Sequence, residues 1–255
     1  MPFADCAGHS LEYEWVGDAA AQAPVLVFLH EGLGSIRQWR EFPAQVAKAT
    51  GRRALVYSRY GYGQSDVLRE EVAGVRFMHR EGLEALPALL RALGIERPVL
   101  IGHSDGASIA LIHAGAGHPV RGLALMAPHV FVEPVCLTSI HEAKAAFAGG
   151  ELAERLAKYH RDARKTFHLW ADAWLDPAFV DWNIEEYLPG IACPVLAIQG
   201  EDDAYGTMAQ LERVARGVRG PCELLELPAC GHAPFRDQPQ RTLEAITRFV
   251  HERCR

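Results

Sequence analysis

Gly102-His103-Ser104-Asp105-Gly106 follows the apolar run Val99-Leu100-Ile101 and opens an Ala/Ile-rich segment with helical spacing. The pentapeptide reads G-x-S-x-G at a strand-to-helix junction. A serine on so sharp a turn projects its hydroxyl out of the fold. The backbone around it has little room. Glycine or alanine is needed two residues before, two after and three after, because a Cβ there would collide with the strand or the helix. Gly102, Gly106 and Ala107 stand at those places. The pentapeptide alone carries little weight; the strand before it and the helix after it give it meaning.

The same alternation extends outward from this stretch. Pro24–Leu29, Arg53–Tyr57, Pro98–Ile101, Gly122–Met126, Pro194–Ile198 and Glu223–Leu227 are short apolar runs, as expected of strands buried on both faces. Leu11–Trp15 alternates and reads as an edge strand. Between these runs, Trp39–Ala49, Phe77–Leu93, Ser104–Ala116, Thr207–Val218 and Pro239–Arg253 have helical spacing. The expected fold is α/β: a mostly parallel, doubly wound sheet of about seven or eight strands with helices on both faces. One segment breaks the rhythm. From about Phe131 to Pro189 there is no convincing strand, the composition is helical, and Trp170, Trp174, Trp182 and Tyr187 fall within it. Residues 131–189 are therefore expected to form a helical cap inserted between two late strands of a core made of 1–130 and 190–255.

Composition bounds the rest. The chain has 255 residues, 49% of them hydrophobic, which is ordinary for a globular protein whose α/β core forms one unit. Its net charge of −6 argues against a nucleic-acid or anionic-membrane partner. No run approaches the ~18 apolar residues of a membrane span. Met1–Cys6 lacks a basic region followed by an apolar stretch, so no secretory signal is expected. The six cysteines, at 6, 136, 193, 222, 230 and 254, form no C-x-x-C and are expected to be free thiols, with a cytoplasmic location as the default. Nothing in the sequence decides the oligomeric state.

A serine hydroxyl is a poor nucleophile at neutral pH and needs a base, which in turn needs a group to fix its tautomer. In open α/β sheets such groups lie on loops at the carboxyl ends of strands. An acid is available in Gln199-Gly200-Glu201-Asp202-Asp203, after the run ending at Ile198, and a histidine in Cys230-Gly231-His232-Ala233-Pro234, after the run ending at Leu227. With Leu29-His30-Glu31-Gly32-Leu33-Gly34-Ser35 and Ser58-Arg59-Tyr60-Gly61-Tyr62-Gly63-Gln64-Ser65, these make five motifs in one order. Across nearly the whole chain this order resembles the α/β-hydrolase family, in its serine-nucleophile, esterase-like branch.

The resemblance implies roles. Ser104 would attack the substrate carbonyl and His232 would accept and return its proton. The family's acid sits three residues after the glycine of its turn, which is Asp203, with Asp202 as the adjacent rival. Some members carry the acid after the preceding strand, but Met126-Ala127-Pro128-His129 holds no carboxylate. The oxyanion donors would be the N–H groups of Asp105 and Gly32, or Leu33 if the loop shifts by one. Glu31 departs from the pattern, because it stands where the family commonly has glycine. A carboxylate there opposes a developing oxyanion unless it turns away, binds a polar group of the substrate or orders a water.

Glu31, His103, Trp170 and Trp174 are the candidate pocket residues, with simple packing as the alternative for His103 and for each aromatic. Neither His30-Glu31 nor His141-Glu142 has a histidine four residues after the first, and Cys222, Cys230 and His232 lack zinc spacing, so no metal is expected. Gly61 and Gly63 are followed by no phosphate-loop lysine. No cofactor is expected. The implied reaction is hydrolysis of a small or medium carboxylic ester or thioester through an acyl-serine. The alternatives are carbon–carbon cleavage of a ring-fission product, with Arg59 or Arg164 binding a second carboxylate, and a binding protein that kept the fold without the activity. The partner expected is a small-molecule substrate.

Overall fold

The structure, a computed structural model, describes residues 1–6, 8–18, 20, 24–69 and 74–255. Eight strands form one sheet: β1 (Phe3–Cys6), β2 (His9–Val16), β3 (Leu26–Leu29), β4 (Ala54–Tyr57), β5 (Val99–His103), β6 (Gly122–Met126), β7 (Val195–Gly200) and β8 (Cys222–Leu227). Their spatial order is β1-β2-β4-β3-β5-β6-β7-β8, and only β1 and β2 run antiparallel to their neighbours. This is the mostly parallel sheet that the apolar runs predict, with β1 added at one edge.

The residue order along each strand sets which face it covers. In β3, Val27 and Leu29 enter one core and Leu26 and Phe28 the other. In β5, Leu100 faces the first core, while Val99 and Ile101 face the second. Every residue of β3 to β7 is buried, because helices cover both faces. β8 at the far edge is only partly covered.

Helix α1 (Phe42–Thr50) packs on one face of the sheet. α2 (Phe77–Arg80) and α3 (Leu86–Ala92), joined by a π-turn over Glu81–Ala85, pack on the other. α4 (Asp105–Gly115) follows β5 and is buried from Asp105 to Ala114, as befits a helix that is apolar all round. Between β6 and β7 lie α5 (Pro134–Ala148), α6 (Glu151–Ala157), α7 (Ala163–Trp174) and short 3₁₀ turns; the backbone pairing of this stretch is a single bridge, Phe131 to Asn183. Asp162 caps α7 by accepting a 2.9 Å hydrogen bond from Lys165 N–H. The aromatics of this segment are continuous with the first core: Phe147 stacks on Phe167 with centroids 3.9 Å apart, and Phe179 stacks on Trp182 at 5.2 Å. α8 (Ala209–Gly217), α9 (Pro234–Asp237) and α10 (Pro239–Arg253) complete the chain.

A buried acid fastens the second strand to the motif loop. Glu12 in β2 accepts from Ser58 Oγ at 2.6 Å and from Gln64 N–H at 2.9 Å, and its own N–H bonds Ser65 Oγ. Ser58 Oγ in turn accepts from Ile36 N–H at 3.1 Å. The Leu29–Ser35 and Ser58–Ser65 motifs are thereby held together at the carboxyl end of the sheet. No helix among the described residues is long and apolar enough to cross a membrane.

Candidate active site

β5 ends at His103, and α4 begins at Asp105, so Ser104 must turn the chain by itself. It does so at φ 53°, ψ −121°, in the half of backbone space that side chains avoid. A Cβ on Gly102 would approach Ala107 Cα to 2.6 Å, and one on Gly106 would run into the carbonyls of Leu29 and His30. The elbow glycines are thus required by the helix on one side and by the end of β3 on the other.

The three members of the expected triad meet. His232 Nε2 lies 2.9 Å from Ser104 Oγ, and its Nδ1 lies 2.9 Å from both carboxylate oxygens of Asp203. With Nδ1–H donating to the carboxylate, the Nε2 lone pair faces the hydroxyl, as a base requires. Asp203 is itself oriented by Gln199 Nε2 at 2.7 Å and Tyr205 N–H at 2.8 Å. Burial pushes its carboxyl upward, but the hydrogen bonds from His232 and the Tyr205 N–H outweigh it and hold the group below the usual aspartate range. Asp202 is exposed; its N–H bonds the Cys230 carbonyl.

Ser104 and His232 open onto a cavity of about 110 Å³. Glu31, Gly32, Leu33 and Asp105 form one wall, and Trp170 and Trp174 reach it from α7. A 3.0 Å hydrogen bond from Gly34 N–H to the Glu31 carbonyl closes the turn that carries Gly32 and Leu33. Gly32 has no room for a side chain, because the Trp170 indole lies against it. Asp105 heads α4, so its N–H has no acceptor within the helix. Its side chain is buried: Trp174 Nε1–H donates to it at 3.3 Å and Arg59 Nη2 stands 3.8 Å away, while burial pushes its carboxyl above the usual range.

His129, Cys136, Ile140 and Tyr205 also line the cavity, and the sequence reading misses them. His129 follows β6, a position where the family resemblance points to a carboxylate and not to a histidine. Its ring is buried, edge-on to Trp174 and 5.8 Å from His232, and burial together with the nearby His232 drives its pKa down to about 3, so it stands neutral.

His103 differs from expectation. It is absent from the cavity wall, because strand alternation turns it to the opposite face from the pocket, against Trp39 and Phe235. Its Nε2 lies 2.7 Å from the backbone carbonyl of His232, and its Nδ1 lies 3.4 Å from Glu31 Oε2. Glu31 Oε1 also meets Arg236 Nη2 at 3.5 Å. Burial would raise the Glu31 carboxyl, but the His103 hydrogen bond and the charge of Arg236 hold it well below the usual range. Arg59 is fully buried, and its Nη2 donates to the Glu31 carbonyl at 2.9 Å; Arg164 is exposed on α7. Among the described residues, no group of three or more His, Cys, Asp or Glu is placed to hold a metal ion.

A family model described as "Alpha/beta hydrolase family" matches residues 26–245. The chain belongs to this family. A proline iminopeptidase of Lactobacillus delbrueckii subsp. lactis is 33% identical over 98 residues, covering 38% of this chain and 33% of that protein. The match thus spans about a third of that relative's length. The crystal structure of the enol-lactonase from Burkholderia xenovorans LB400 aligns with TM-score 0.76 and 20% identity over 98% of this chain and all of its own. A meta-cleavage product hydrolase from Pseudomonas fluorescens IP01 aligns with TM-score 0.75 and 16% identity over 99% and 98% of the two chains. At these identities the structures establish the shared fold.

Proposed function

We propose that this protein is a serine hydrolase that cleaves a small carboxylic ester or thioester through an acyl-serine intermediate. The observation that carries this reading is the unbroken relay from Ser104 Oγ through His232 to Asp203, each link 2.9 Å. Ser104 attacks the carbonyl carbon as His232 Nε2 takes its proton. The imidazolium so formed is held by Asp203 and then protonates the leaving group. Water, activated by the same histidine, releases the acid. The N–H groups of Asp105 and Gly32 receive the oxyanion, where loss of one donor typically costs roughly 10²–10³ in rate.

A cavity of about 110 Å³ suits a short acyl group. We read residues 131–189 as the cap that closes it over a core of 1–130 and 190–255. The six free thiols fit a reducing, cytoplasmic setting. Carbon–carbon cleavage of a ring-fission product needs a cation for a second carboxylate. Arg59 lines a separate chamber and Arg164 is exposed, so neither borders the cavity at Ser104, and the ester reading is preferred.

Labelling by a fluorophosphonate tests the proposal. The wild type should be modified at Ser104 and Ser104→Ala should not. Equal labelling of the two, or none of the wild type, would reject it and leave the non-catalytic alternative. A panel of p-nitrophenyl esters beside acyl-CoA thioesters then separates the leaving-group classes. His232→Ala should lose at least ~10³ of the rate on whichever class is turned over.

A further inference from the structure

Glu31 poses a physical problem, because a carboxylate in the wall that carries the oxyanion donors should repel the charge that forms there. His103 supplies the answer. Both of its ring nitrogens face acceptors: Nε2 the His232 carbonyl at 2.7 Å, and Nδ1 the Glu31 carboxylate at 3.4 Å. A neutral imidazole has one N–H and one lone pair, so it can serve only one of the two; an imidazolium serves both. Arg236 cannot take over the task, since its contact is 3.5 Å and its side chain is 37% exposed, where solvent screens the pair. The remaining surroundings of His103 are Trp39 and Phe235, which are apolar, and the rings of His232, 5.1 Å away, and His129 beyond it.

We propose that His103 is an imidazolium counter-ion to Glu31: it neutralises the carboxylate beside the oxyanion donors and, through its other N–H, ties the His232 loop to the same wall. His103 touches no reacting atom and is a positioning residue. The inference rests on the serine-hydrolase reading for its kinetic effect, but not for its charge state. Glutamine at 103 sets an amide N–H close to the place of Nε2, so His103→Gln keeps a donor for the His232 carbonyl while removing the charge.

The test is a double-mutant cycle read by the second-order rate of fluorophosphonate modification at Ser104, beside histidine-selective ¹⁵N NMR. His103→Gln should lower the rate about tenfold or more, since Glu31 is left uncompensated. Adding Glu31→Gln in that background should restore most of the loss. A packing role for His103 predicts no such rescue, so absence of rescue, or a His103→Gln rate equal to wild type, overturns the proposal. In the wild type at neutral pH, the two ring nitrogens of His103 should give the closely spaced shifts of an imidazolium. The widely split pair of a neutral tautomer overturns the proposal even if the variants fail to fold. If the wild type is not modified at all, the hydrolase reading falls while the NMR result still judges this one.

Discussion

Ser104 occupies φ 53°, ψ −121° because the strand before it and the helix after it leave no other course. Such a conformation costs a side-chain-bearing residue roughly 1–3 kcal/mol. Glycine escapes that cost but gains unfolded-state entropy worth about 0.4–1 kcal/mol. Ser104→Gly should therefore be more stable than Ser104→Ala by about 1 kcal/mol, with both unreactive. Denaturant midpoints of the pair decide it, and an alanine variant as stable as the glycine one would mean the elbow is not strained. The need for Gly102, Gly106 and Ala107 was legible in the sequence, because backbone sterics act over a few residues. The direction of His103 was less so: it follows from alternation along β5, and the motif drew attention to its closeness to the serine instead. Burial of Asp105 was also hidden, since the partners that enclose it, Arg59 and Trp174, come from distant parts of the chain.

Helix α7 carries a ring shared by two spaces. The Trp170 indole borders both the 110 Å³ cavity at Ser104 and a chamber of about 220 Å³ lined by Leu11, Arg59, Tyr62, Phe77 and Leu169. Removing the ring should join them. Trp170→Ala should lose stability, by about 3–5 kcal/mol for a large-to-small core change. Its kcat/KM for p-nitrophenyl octanoate relative to acetate should nevertheless rise at least about tenfold, as a pocket that accepts more methylenes allows. An unchanged ratio would show that the chamber takes no part in acyl binding. The central strands were readable because burial on both faces leaves apolar runs. β1 was not, since it is only four residues long and its exposed Phe3 breaks the apolar/polar alternation that its burial follows. The inward-facing Glu12 was equally hidden, because its alternating run reads as an edge strand, whose polar residues ordinarily face water, whereas β2 is paired on both sides. The absence of strand character in 131–189 did translate into helices, but which of their aromatics reach the cavity depends on how α7 lies across it.

At the scale of the whole molecule, the fold buries several of its histidines in their neutral form. Burial lowers the pKa values of His30, His79, His113 and His129, and His113, bonded to the Gly82 carbonyl and stacked on His118, is brought down to about 4. The unfolded chain takes up these protons near pH 6.5, where the folded chain refuses them. Their stabilisation is therefore complete above about pH 6.5 and is lost as the pH falls toward the folded values. Asp203 adds a further loss at lower pH, as its carboxyl becomes protonated. From His113 alone the loss between pH 6.5 and 5 is roughly 2 kcal/mol. Thermal midpoints should drop across that interval, and His113→Gln, which titrates in neither state, should flatten the slope; a midpoint indifferent to pH over this range would contradict the assignment. The buried tryptophans have a consequence of another kind. Trp39, Trp170, Trp174 and Trp182 are all buried, Trp170 and Trp174 within the wall of the cavity itself. The protein thus carries built-in optical reporters: a compound that settles beside residue 104 must alter indole emission, so that in Ser104→Ala, where nothing is turned over, candidate substrates can be ranked by the light they quench.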